Sequence, residues 1–226
     1  KMEHPAVDTF VTDGTNPVNI LTNDKLGART GLTTDLVTIT PTVTNPNVSI
    51  DTDSGKVKVK ANAPAGVYTV KYKITEKGQT TASAEKTVTV VVTNKLVNNN
   101  GNYGGAPSTT STPADGGNVL DNVRINGSTS NPSPSDVTIS VDVPATGTTV
   151  PYLETSGPDK GKIKLPQGTP SGTYTLKYTV CDTATGAAKS CKQATATVVV
   201  DPNAIVSQND TNNKDVEFNA NTAQNV

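Results

Sequence analysis

The chain has two cysteines, Cys181 and Cys191, and their placement allows one covalent chemistry, a disulfide. Upstream, Tyr174, Leu176, Tyr178 and Val180 alternate with Thr175, Lys177 and Thr179, a period of two that puts Cys181 on the outward set. Downstream, an inward set of Ala194, Ala196, Val198 and Val200 leaves Cys191 outward with Gln193, Thr195 and Thr197. Both thiols then project from one face near the tip of one hairpin. A cross-strand disulfide fits there and implies an oxidising compartment, with two reduced surface thiols as the alternative. Zinc lacks a second pair of ligands, because the single histidine, His4, stands at the N-terminal end.

Hard-oxygen chemistry has two candidate places. Asp51 and Asp53 have the alternate-carboxylate spacing of calcium loops, but no glutamate closes the loop and the bland reading is a turn. Asp24 and Asp121, beside Asn23 and Asn122, could hold an ion between two units, although Asn and Asp also cap turns. Catalysis has no residues to carry it: no histidine partners a nucleophile, and there is no glycine-rich phosphate loop and no repeated carboxylate pair. Lys56, Lys58, Lys71 and Lys73 all alternate outward, which discounts an intramolecular isopeptide bond.

These residues sit in a repeat. Pro64-Ala65-Gly66-Val67-Tyr68-Thr69-Val70-Lys71-Tyr72 recurs as Pro170-Ser171-Gly172-Thr173-Tyr174-Thr175-Leu176-Lys177-Tyr178, 106 positions later (170 − 64). Gly55 to Val59 matches Gly161 to Leu165 at the same offset, and Thr87 to Val92 is matched with Gln193 to Val198. A fixed period settles the architecture before any local reading, so the chain is a tandem of one module. Upstream, Asn19 to Asn23 matches Asn118 to Asn122 at an offset of 99 (118 − 19), which places seven extra residues between the anchors of the second copy. The Ser130 to Ser135 turn and Thr146 to Pro158 are the loops able to absorb them.

Only 33% of the chain is hydrophobic, with no Trp and two Phe, so each core must be thin and aliphatic. A net charge of −1 gives no footprint for nucleic acid or an anionic membrane. No apolar run reaches the roughly 18–20 residues of a membrane span, so no membrane insertion is expected of this fragment.

In order, Lys1 to Pro5 reads as a linker, Val7 to Thr12 and Val18 to Leu21 as strands, then Leu36 to Val43, Val48 to Ile50, Lys56 to Lys60, Tyr68 to Thr75 and Thr87 to Thr93. No segment has helical spacing with caps. Residues 1–95 form the first module, 96–105 a connection rich in asparagine and glycine, and 106–202 the second. Residues 203–226 resemble the start of a third. The expected fold is all-β, two tandem antiparallel immunoglobulin-like sandwiches arranged end to end.

On the motif Pro-x-Gly-x-Tyr-Thr-x-x-Tyr, the chain resembles the immunoglobulin-like repeats of large Bacteroidetes-type surface adhesins. The second copy carries the likeness through Leu120, Asn122, Val137 to Ile139, Gly161 to Leu165, Gly168 to Pro170, Cys181, Cys191 and Val198 to Val200. The first departs by having Thr75 and Glu85 where the cysteines are expected. The resemblance implies stalk or spacer units of an exported protein at the cell surface, with neighbouring repeats and an unidentified protein or glycan as partners. Pro64, Gly66, Tyr68, Pro170, Gly172 and Tyr174 are its structural motif, each tyrosine a corner whose hydroxyl bonds upstream backbone, with an ordinary half-buried core tyrosine as the alternative. A carbohydrate-binding or accessory module of an exported enzyme is the alternative, with Tyr103 and Tyr152 as the tyrosines left to meet a sugar.

Overall fold

The structure, a computed structural model, describes residues 2–4, 19–83 and 85–202. Its strands are β1 (Met2–His4), β2 (Val37–Val43), β3 (Val48–Ile50), β4 (Val57–Val59), β5 (Gly66–Glu76) and β6 (Lys86–Val92), followed by β7 (Leu96–Asn98), β8 (Gly101–Gly105), β9 (Ala114–Asn118), β10 (Val123–Ile125), β11 (Val137–Val143), β12 (Tyr152–Leu153), β13 (Lys162–Leu165), β14 (Gly172–Asp182) and β15 (Cys191–Val200). Among the described residues there is no α-helix; short 3-10 turns fill some of the connections.

The long hairpins dominate because their sequences alternate. In β14, Leu176, Tyr178 and Val180 are buried while Thr175 and Lys177 are exposed, as one half-buried sheet face requires. The hairpin β5–β6 lies in the sheet β1-β6-β5-β2, and β14–β15 lies in β11-β14-β15-β8. In each sheet the leading strand joins the edge in parallel, β1 on β6 and β8 on β15. The facing layers are β3-β4 in the first module, and β12-β13-β9 with β10-β7 in the second. Two cores result. One is built from Leu21, Val37, Val57, Val70, Tyr72 and Val90, the other from Val119, Val137, Ile163, Leu176, Tyr178 and Val198. The fold is all-β, two immunoglobulin-like sandwiches in series.

Asn19 and Asn118 pin the layers together in both copies. Each caps a 3-10 turn, its Oδ1 accepting from the amide of Leu21 or Leu120 at 2.9 Å. The next amide, of Ile20 or Val119, donates to the carbonyl of Gly55 or Gly161 at 2.9 and 2.8 Å. Those glycines have φ of 72° and 95°, and a Cβ would fall 2.7 and 2.6 Å from the asparagine Oδ1. Glycine is required at both positions.

Several expectations are corrected here. Met2–His4 is not a linker but the edge strand β1. Ile20–Asn23 is a 3-10 turn rather than the end of a strand, because Asn19 caps it. Residues 96–105 are not a connection: β7 and β8 belong to the second module, and Leu96 is 3% exposed in its core. The second module therefore opens ten residues earlier than Ala106 (106 − 96). The last strands also match differently. Tyr68 pairs with Val90 and Tyr174 with Val198, an offset of 108 (198 − 90), so the second hairpin loop is two residues longer. Counted this way, Cys191 corresponds to Ser83 (191 − 108) and not to Glu85, which instead pairs with Lys71 at 3.0 Å. The proposed strand Val7 to Thr12 and the tail 203–226 lie outside the described residues.

Candidate functional site

The segment between β6 and β7 is three residues long, Thr93-Asn94-Lys95. The Asn94 amide donates to Asp182 Oδ2 at 2.8 Å, and its Oδ1 accepts from Asn126 Nδ2 at 2.9 Å. Asn126, at φ 53°, exchanges two bonds with Lys95, its Oδ1 accepting from the Lys95 amide and its own amide donating to the Lys95 carbonyl. Asn is among the residues that tolerate that left-handed turn.

Asp182 is the charged centre of this joint. It is 2% exposed, and its Oδ1 accepts from the amides of Ala184 and Ser190 at 3.2 and 3.1 Å. A buried carboxylate is tolerated when its lone pairs are used, and here two backbone donors and one side-chain amide use them. The same bonds shape the loop between β14 and β15. Its 3-10 turn, Gly186–Ala188, touches β5 and β6 of the first module. Ala188 and Val91 are each 1% exposed, yet neither belongs to a core cluster. The hairpin tip of one module is thus packed against the end of the other.

The disulfide closes this tip at its base. Cys181 and Cys191 are direct cross-strand partners, bonded at 2.05 Å with Cα atoms 4.0 Å apart. In the first module Thr75 faces Ala82 instead, and Ser83 bonds Ile74, its amide to the carbonyl and its hydroxyl from the amide.

The asparagine run is also used. From Ala196 on, the edge of β15 is paired with β8; before it, among the described residues, no strand pairs with that edge over Cys191 to Thr195. Asn98 Nδ2 donates to the Lys192 carbonyl at 3.0 Å and Asn100 Oδ1 accepts from the Thr195 amide at 2.9 Å, so side chains close what would be an open sheet edge. Asn98 Oδ1 also accepts from the buried Tyr178 hydroxyl at 3.3 Å. In the first module the equivalent Tyr72 donates to Asp24 at 3.0 Å. Burial first, and then Asp24, push the Tyr72 phenol above its ordinary range.

The remaining candidates have structural partners. The hydroxyls of Tyr68 and Tyr174 donate to the carbonyls of Pro64 and Pro170 at 2.6 and 2.9 Å, just before Gly66 and Gly172 begin β5 and β14. Asp51 pairs with Lys58 at 2.6 Å, which holds its carboxyl below the usual range, and accepts from the Asp53 amide. Asp53 offers its carbonyl to Thr34. Asp24 accepts from Tyr72 and Asp121 from Asn131, each within its own module. Among the described residues no group of three or more His, Cys, Asp or Glu is arranged to hold a metal ion. Tyr103 is half-buried against the second core, its hydroxyl accepting from Asn122, so only Tyr152 remains exposed among the sugar candidates.

One cluster had no forecast. Lys162 and Lys164 of β13 each bridge Asp115 and Asp159 at 2.6–3.1 Å, and the Lys164 side chain is only 10% exposed. Lys162, then Lys164, lower the Asp159 pKa to about 2.

No family model matches the chain, and no curated relative matches it. Solved structures with some likeness include human protocadherin-24 EC1-2, at 13% identity over 73% of this chain and 81% of that one, with a TM-score of 0.35. Mouse cadherin-23 EC22-24 shares 12% over 74% and 53%, with a TM-score of 0.34. The human desmocollin-1 ectodomain shares 10% over 84% and 37%, with a TM-score of 0.36. The architecture rests on the strand pairing above.

Proposed function

We propose that this chain is a spacer or adhesive segment of an exported bacterial cell-surface adhesin or filament, built of modules in series and acting without catalysis. The observation that carries this reading is the joint. A three-residue connection, a half-buried Asn94–Asp182 bond and the Gly186–Ala188 turn seated against β5 and β6 give two modules a defined relation, which a load-bearing or distance-setting segment needs. The disulfide at the tip supports an oxidising, extracellular setting. Partners are then the neighbouring repeats of the same protein and an outside protein or glycan.

Small-angle scattering of the full chain tests the reading. An elongated two-module profile is expected; a compact globe would sink it. The sugar-binding alternative keeps one exposed ring, and a glycan array comparing the chain with Tyr152→Ala decides it. Strong binding lost in the variant would favour that alternative.

A further inference from the structure

In the second module β7 is a structural strand: Leu96 faces Ile125, Val97 faces Arg124 and Asn98 faces Val123. It lies against β14 and β15, with Leu96 in the same buried core as Val137 and Val180. Among the described residues of the first module no strand pairs with the equivalent edge, residues 24–26. The seat itself is present. A cleft of about 370 Å³ is lined by Lys25, Leu26, Val37, Ile74, Glu76 and Ser83 among others. These are the counterparts of Arg124, Ile125, Val137, Val180, Asp182 and Cys191, the residues around β7 in the second module. Ile74 is half-buried where Val180 is fully buried, so an apolar wall covered in one copy is open in the other.

We propose that this cleft is a docking seat for a β7-type strand, Asn-Lys-Leu-Val-Asn in pattern, supplied by the connection from a preceding module of the same kind. The leucine fills the space over Leu26, Val37 and Ile74, and the strand's backbone pairs at Lys25, since the Leu26 amide and carbonyl are bonded to Arg29 and the Asp24 amide to Leu21. The leading asparagine reaches Glu76 as Asn94 reaches Asp182. One chain carries an occupied seat and an open one, and the occupied seat shows the occupant the open one fits. The source of the strand rests on the reading of modules in series, while the seat does not. Scattering tests the former without touching the latter, so either can fail alone.

The test is an extended chain with the sequence of Asn94 to Gly101 placed directly before Lys1. The register needs no linker, because Met2 pairs with Val90 as Tyr103 pairs with Val198. The extension is expected to raise the unfolding temperature of the first module by about 4 °C or more, the second module staying unchanged. Exchange of the Lys25 amide should slow by about tenfold as it gains a strand partner. A control extension carrying the equivalent of Leu96→Ser should give neither effect. An extended chain with unaltered melting and unaltered Lys25 exchange overturns the proposal, and so does equal stabilisation by the serine control.

Discussion

The two modules share a strand plan, a tyrosine corner and an asparagine clasp, yet the second is closed where the first is open. In the second, β7 pairs with β10 and lies against β14, the asparagines of 98 and 100 close the lower edge of β15, and the disulfide ties the hairpin tip. In the first, Ile74 stays half-buried, Ser83 stands at the cysteine position, and Asp24 replaces Asn98 as the partner of the core tyrosine. The lesson is that the shared elements, the long hairpins and the Asn–Gly clasp, suffice for the sandwich. The differences are collected at the hairpin-tip pole, the one that in the second module meets the first.

The largest effect that would sharpen this comparison comes from β7. Leu96→Ala removes a fully buried side chain and should cost the second module about 2–5 kcal/mol in chemical denaturation, with the first unaffected. If the loss is below about 0.5 kcal/mol, β7 is an ornament and the contrast fails.

Reduction comes next. The disulfide spans a sequence separation of 10, a closure worth roughly 2–3 kcal/mol on the chain-entropy model. Reductant should lower the melting temperature of the second module and leave the first in place. Two free thiols in a titration of the native protein would contradict the bond itself.

Acid should weaken both modules, since the Asp51 and Glu85 pKa values of the first are also lowered, but only the second loses the Lys164 cluster. The Asp159 pKa is about 2 in the folded protein, below an ordinary aspartate, so its contribution is present above about pH 4 and is lost as pH falls toward 2. Asp115 is lowered in the same direction, chiefly by Lys164. Thermal melts between pH 5 and 2 should show the second module losing stability, and Lys164→Met should flatten that dependence. An unchanged slope in the variant would remove the cluster from the account.

The smallest effect belongs to the corners. Tyr68→Phe and Tyr174→Phe each remove one hydrogen bond to backbone and should cost about 0.5–1.5 kcal/mol, similarly in both modules. A loss confined to one copy would show that the corners are not equivalent.

Legibility in the sequence followed periodicity. The alternation of β5, β14 and β15 was readable, and it placed both cysteines on one outward face near the hairpin tip. The same alternation hid the two-residue shift of the last strand. Thr87 to Val92 and the β15 run both repeat every second residue, so a slip of two leaves the inward set unchanged. Residues 96–105 were unreadable for another reason. Leu96 is one apolar residue in a three-residue strand, and the asparagines around it find partners as many as 95 positions away. Asp182 did leave a signal. It continues the inward set of Leu176, Tyr178 and Val180, and an acid on an inward position calls for dedicated donors. The Lys164 cluster left none, because Asp115 lies 49 positions upstream on a glycine-rich strand.

The central claim is that the joint fixes one module against the other, and nitrogen-15 relaxation of the full chain tests it most directly. The account predicts that amides of both modules fit one anisotropic tumbling tensor, and that Asp182→Ala splits it into two faster, separate ones. Two independent tumbling times in the unaltered protein would contradict the claim.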